Sequence, residues 1–247
     1  TGFFAIGPNY KSDGGDPEAK AQAEAETLAD RIDTFSRAFL GLTVQCARCH
    51  DHKFDPIPQK DYYSIAGVFR NSRTHKRSAA SAEMTKKYND HQKAIKELEK
   101  QIKSLNEEKK KAPENTADNP DLPKLQQELN KLKKTMPPKP GGEVHVLADS
   151  GNKDMHVAIR GDLRKKGEIA PRQFLTIMTG GNGPVFKQGS GRKELAEAVF
   201  EAGKPLAARV MINRIWQYHF GHGLVRTPSN FGSLGEKPSH PQLLDWL

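Results

Sequence analysis

Between residues 80 and 140 the chain places every Leu and Ile on two narrow stripes, and this restricts what it can fold into. Ile95, Leu98, Ile102 and Leu105 step by three, four and three residues, and Leu122, Leu125, Leu129, Leu132 and Met136 by three, four, three and four. The surrounding positions are rich in Lys, Glu and Gln. A seam of this period suits a helix that buries one stripe against one partner. The polar breaker Lys111-Ala112-Pro113-Glu114-Asn115-Thr116 lies between the stripes. The spacing predicts two helices folded back as an antiparallel coiled-coil hairpin, each arm too short to be stable without the other. A partly disordered linker is the competing reading. Either way the segment divides the chain into residues 1–79, 80–140 and 141–247.

The first part is predicted to be helical. Residues 1 to 16 read as an extended piece and a loop, and Pro17 suits the first turn of a helix. Leu28, Ile32, Phe35, Phe39 and Leu42 recur at three- and four-residue steps, which predicts an amphipathic helix from Glu18 to about Leu42. Asp51 to Pro58 reads as a loop stiffened by Pro56 and Pro58, and Asp61 to Phe69 as a short buried helix.

Between these helices lies Cys46-Ala47-Arg48-Cys49-His50, which holds both cysteines of the chain. CxxCH is the attachment signature of c-type haem. Two thiols three residues apart can add to the two vinyl groups of one haem, and the histidine that follows can give an imidazole nitrogen to the iron. On a helix, residues three and four apart share a face, so Cys46, Cys49 and His50 are expected to converge on one patch. His50 is the expected axial ligand, and covalent haem c the expected cofactor. A sixth ligand is undetermined among Met84, His75, His145, Met155 and His156, or the position is open. Arg48 and Lys53 are candidate partners for haem propionates. A zinc site would need four ligands, which Cys46, Cys49, His50 and His52 are too crowded to supply. A thiol-disulfide pair usually sits at a helix start after a strand, whereas here the helical pattern precedes the motif.

After Pro137-Pro138-Lys139-Pro140-Gly141-Gly142, short strands are expected at Val144–Leu147 and Met155–Ile159, then a turn at Arg160-Gly161-Asp162. The loop Gly180-Gly181-Asn182-Gly183-Pro184 lacks the Lys-Ser/Thr of a phosphate loop. Helices are expected from Lys193 to about Ala202 and from Pro205 to about Phe220, the second with Leu206, Val210, Ile215 and Trp216 as core. The polar cluster Asn213, Arg214, Trp216, Gln217 and His219 reads first as helix packing, with Arg214 satisfied by a buried carboxylate. His219 with His222, and Asp30, Asp33, Asp51 and Asp55, are weak candidates for metal and calcium. The fold class is therefore mainly α with few short strands: a helical CxxCH domain, a hairpin insertion and a second, mostly helical domain.

The formal charge is +9 over 247 residues. A solvated lysine-rich helical segment accounts for it. Nucleic acid is not indicated, because no fingerprint and no basic stripe with interleaved aromatics is present. No stretch approaches the roughly 20 apolar residues of a membrane span. The sequence opens inside an apolar run and stops at Leu243-Leu244-Asp245-Trp246-Leu247, which reads as a fragment of a larger protein.

Longer strings carry a resemblance. Arg31-Ile32-Asp33-Thr34, Phe39-Leu40-Gly41-Leu42, the run from Cys46 through Asp51-His52-Lys53-Phe54-Asp55-Pro56-Ile57, and Asp61-Tyr62-Tyr63 together resemble the cytochrome-c-associated domain of unknown function found in planctomycete proteins. The run Ala207-Ala208-Arg209-Val210-Met211-Ile212-Asn213-Arg214-Ile215-Trp216-Gln217, with His219-Phe220-Gly221, Val225-Arg226-Thr227-Pro228, Phe231-Gly232 and Ser239-His240-Pro241, resembles its usual C-terminal companion. Arg160-Gly161-Asp162 and Pro171-Arg172-Gln173-Phe174-Leu175 resemble the region that links them. The hairpin shows no such likeness and reads as a variable insertion. The resemblance implies export, periplasmic or to the cell surface, and haem binding, but no established reaction. The expectation is an electron-transfer-associated protein with a redox partner protein. The alternatives are a non-redox scaffold whose hairpin docks a coiled-coil partner, or an accessory part of a polysaccharide-acting enzyme, for which no paired carboxylates argue.

Overall fold

The structure is a computed structural model that describes residues 2–12, 14–111 and 121–247. Its elements are mainly helical, with four short strands in two two-stranded sheets. The first residues are a short helix, α1 (Gly2–Ala5), rather than extended chain. Asp16 then starts α2 (Pro17–Phe35) by accepting the N–H groups of Glu18 and Ala19, with Pro17 in the first turn.

The apolar stripe runs on past Phe35, but the α-helix does not. Residues Ser36–Leu40 widen into a π turn that ends at Gly41 in the left-handed region, φ 59°. Gly41 is required there: a Cβ would lie 2.9 Å from both Val210 and Phe231. The chain then enters a 3₁₀ turn at Val44–Arg48 and the helix α3 (Gln59–Arg70).

Strand β1 (Ser72–Ser78) follows, then helices α4 (Ala82–Lys111) and α5 (Asp121–Lys134), then strand β2 (Glu143–Asp149), which pairs with β1. Strands β3 (Met155–Ala158) and β4 (Lys166–Ala170) pair antiparallel, Met155 opposite Ala170 and His156 opposite Ile169, with a bulge before Ala158. The remaining helices are α6 (Thr176–Thr179), α7 (Arg192–Glu201), α8 (Lys204–Phe220) and α9 (Pro241–Trp246).

The chain divides into two compact units, residues 1–75 with 146–247, and residues 76–145. In the larger unit one core joins Leu28, Ile32 and Phe35 of α2 to Tyr62, Ile65 and Phe69 of α3, to Val157, Ala170, Phe174 and Phe186, and to Leu195 and Val199 of α7. A smaller cluster gathers Leu224, Val225 and Leu244 with Ile212, Trp216 and Phe231. Val210 is buried as expected, whereas Ile215 is 45% exposed.

In the smaller unit Ile95, Ile102 and Leu129 are buried, with Leu98, Leu122, Leu125, Leu132 and Met136 around them. The Gln92 amide meets Met136, Lys133 pairs with Glu99, and His91 donates to the Leu132 carbonyl, so α4 and α5 run antiparallel. Residues 112–120, where most of the breaker was expected, lie outside the described residues.

Candidate cofactor-attachment site

The five residues Cys46 to His50 do not sit on an α-helix. They begin in the Val44–Arg48 3₁₀ turn, and Cys49 caps it. A 3₁₀ helix repeats every three residues and eclipses positions i and i+3, which keeps Cys46 and Cys49 on one side, while His50 follows the turn and is not aligned with them by it. Val44 and Ala47, three apart, are buried at 1% and 0% exposure. Cys46 and Cys49, also three apart, are exposed free thiols. The turn therefore splits the motif into an apolar side that anchors it and a thiol side that faces out.

Three groups hold the turn from behind. The Arg48 carbonyl accepts the Tyr63 hydroxyl at 3.0 Å and the Gln59 amide at 2.8 Å. The same Gln59 amide reaches the Ala158 carbonyl at 3.0 Å, tying the turn to β3. The Asp51 carboxylate accepts the Gln59 backbone N–H at 2.8 Å, where α3 begins. Burial pushes the phenols of both Tyr62 and Tyr63 upward. Gly161, at φ 76°, brings its backbone under Cys49: a Cβ there would lie 2.5 Å from the sulfur.

The two histidines differ. His50 is exposed, and its Nδ1 lies 2.6 Å from the Asp51 carbonyl. A carbonyl only accepts, so Nδ1 carries the proton and Nε2 keeps its lone pair for a ligand. The His52 side chain is 4% exposed. Its Nδ1 accepts the N–H groups of Asp55 and Phe54, which requires a neutral ring, and its Nε2 donates to Thr43. With both nitrogens engaged, His52 is a pin for the loop and has no lone pair to give a metal.

Other expected contacts fall elsewhere. Arg48 pairs with Glu26 at 3.2 Å, and the Lys53 ammonium lies over the Phe54 ring at 5.1 Å. Asp33 is held by Arg37, and Asp55 by Ser233. His219 donates to the Ile215 carbonyl. Among the described residues no three His, Cys, Asp or Glu side chains converge as a metal site.

Arg214 meets backbone rather than a carboxylate: it donates to the carbonyls of Ala38, Arg37 at 2.7 Å, and Pro228 at 3.4 Å. Asn213 is fully buried and exchanges two hydrogen bonds with the backbone of Val225. Arg214 therefore fastens α8 to the π turn and to the loop after α8, and Asn213 fastens it to that loop alone. Sequence reasoning did not single out Gln59 or Gly161 for the site, since each acts through a neighbour 99 or more residues away or across a turn.

Residues 1–74 match PSCyt2, a protein of unknown function (DUF1549). Residues 191–247 match PSD1, a protein of unknown function (DUF1553). The thiol turn thus lies in the PSCyt2 segment, while Arg214 and Asn213 lie in the PSD1 segment. The hydrogen bonds of Arg214 to residues 37 and 38 join the two. No curated protein and no solved structure matches the chain.

Proposed function

We propose that the Cys46–His50 turn is an attachment site for haem c and that the protein takes part in electron transfer. The observation that carries the reading is the division of the 3₁₀ turn into a buried Val44/Ala47 side and an exposed Cys46/Cys49 side, followed directly in the chain by an exposed His50 whose Nδ1 is engaged by the Asp51 carbonyl. The donor set fits the group: each thiol would add across one vinyl group, and His50 would ligate the iron. Bound haem would supply a one-electron couple. The chain's part is to hold the turn rigid through Tyr63 and Gln59, and to fix the imidazole tautomer through the Asp51 carbonyl. Cys46, Cys49 and His50 are exposed, so a haem attached there would be within reach of a redox partner protein. The cytochrome element in the name of the matched PSCyt2 family supports the reading, and export is part of it.

The test is production of the full-length protein with a c-type maturation system, followed by haem staining of a denaturing gel and a pyridine haemochrome spectrum. Wild type is expected to keep one haem through denaturation, and Cys46→Ala with Cys49→Ala to keep none. His50→Ala is expected to retain the tethered haem with an altered axial-ligand spectrum. A wild type without covalent haem overturns the proposal and leaves the scaffold reading.

A further inference from the structure

A cleft of about 930 Å³ opens between α2, the end of α3 and the segments 9–12 and 150–153 of the larger unit. It is separate from the thiol turn and shares no residue with it. Six cationic side chains line it, Lys11, Lys20, Arg31, Arg70, Arg73 and Lys153, against one acid, Glu24. Glu24 is already paired with Arg70 at 3.4 Å.

Arg31 decides what such a cleft is for. It is 7% exposed, and its Nε is buried without a hydrogen-bond partner. Among the described residues the guanidinium has no ion pair. Asp30, its neighbour in the chain, attracts it electrostatically without touching it. The Ser12 hydroxyl, also in the cleft wall, is buried and unpartnered as well. A guanidinium cannot shed its charge, and burying it unpaired is costly. Arg31 and Ser12 both line this basic cleft, and each carries a buried donor without a partner among the described residues.

The walls are built rather than loose. The Thr27 hydroxyl accepts the Tyr10 N–H at 3.0 Å, which holds segment 9–12 against α2. The Asn71 side chain bonds both the carbonyl and the N–H of Lys153, at 2.7 and 3.1 Å, which holds segment 150–153.

We propose that this cleft binds an oxyanion, phosphate, sulfate or carboxylate, with Arg31 as the buried anchor, Ser12 as a second donor and the other cations as the rim. A planar guanidinium fork matches such groups. The volume is of the order that holds a small organic molecule (roughly 300–1,000 Å³), so the oxyanion is carried on a larger ligand. The proposal does not depend on the haem reading.

The test is titration of the full chain at constant ionic strength with sodium sulfate, sodium phosphate, glucose 6-phosphate and glucuronate, followed by calorimetry and by the arginine Nε–H signals in NMR. One saturable site is expected, and Arg31→Met should weaken it at least tenfold. A sugar ester or acid bound more tightly than the inorganic ions identifies a carried group. Equal affinities would overturn that part and leave a free-ion site. Should Arg31→Met not fold, Ser12→Ala is expected to weaken binding several-fold, and the Arg31 Nε–H signal of wild type to move on titration. No saturable binding, or an affinity lost in Lys20→Gln with Lys153→Gln but kept in Arg31→Met, overturns the proposal as mere surface charge.

Discussion

The Asp55 carboxylate accepts the backbone N–H of Ser233 at 2.7 Å, across 178 residues of sequence. This bond, with the Ser233 hydroxyl on the Phe54 carbonyl at 3.1 Å, pins the loop after the thiol turn to the loop after α8. Asp55 is 9% exposed. Asp55→Ala is expected to cost about 2 kcal/mol in urea denaturation, because a buried backbone donor loses a charged acceptor. Asp55→Asn, which keeps one acceptor oxygen, is expected to cost less. A Cβ on Gly232 would lie 2.4 Å from the Asp55 carboxylate. Gly232→Ala should therefore be less damaging in the Asp55→Ala background than alone, and additive effects would show that the contact does not matter.

Gly161→Ala tests the support beneath the thiols. Its φ of 76° disfavours any side chain, and its new Cβ would displace the Cys49 sulfur. The expected destabilisation is about 1–2 kcal/mol from the left-handed backbone. In the haem-free protein, alkylation of Cys49 by iodoacetamide should accelerate while Cys46 stays unchanged as an internal reference. Equal rates in wild type and variant would refute the packing argument.

Asp149 gives a pH dependence. Hydrogen bonds from the Ser190 hydroxyl at 2.6 Å and N–H at 3.3 Å, and the Arg192 guanidinium at 2.6 Å, hold its carboxyl below the ordinary value of 3.8. Its folded pKa is lowered, so the stabilisation is complete above pH 3.8 and is lost as pH falls through the lower folded value. Asp149→Asn should be less stable than wild type at pH 7, and the gap should close in acid. The side chain is 50% exposed, so the difference at pH 7 is expected to be about 1 kcal/mol or less. A gap independent of pH would mean that packing, not charge, is responsible.

Period explains which elements the sequence discloses. The stripes of α2, α4 and α5 are regular, and the helices lie where those stripes are. Strand β1 has no stripe: Ser72-Arg73-Thr74-His75-Lys76-Arg77-Ser78 is polar and mostly exposed, and it is extended because β2 pairs with it. The helix through Phe39 was expected to run on because its apolar spacing does. It widens at Ser36 because Gly41 must lie under Val210 and Phe231, and Arg214 must reach the carbonyls of residues 37 and 38. Those partners are more than 160 residues away in the chain, where no local pattern can register them.

The candidate site divides the same way. That Cys46 and Cys49 share a side follows from spacing alone, since an α-helix and a 3₁₀ turn both bring positions three apart together, whereas the shared face expected for His50 holds only on an α-helix. Which side of the turn faces water depends on Val44 and Ala47 finding a core. Which nitrogen of His50 is free depends on the Asp51 carbonyl, and which histidine is spent depends on how the loop to Ile57 closes. Arg31 is the sharpest case. In sequence it is one more charge beside the Leu28–Ile32 stripe. Only the folded chain buries it and leaves its Nε without a partner among the described residues. Local spacing sets which side chains can act together; desolvation, which decides what they act on, belongs to the assembled fold.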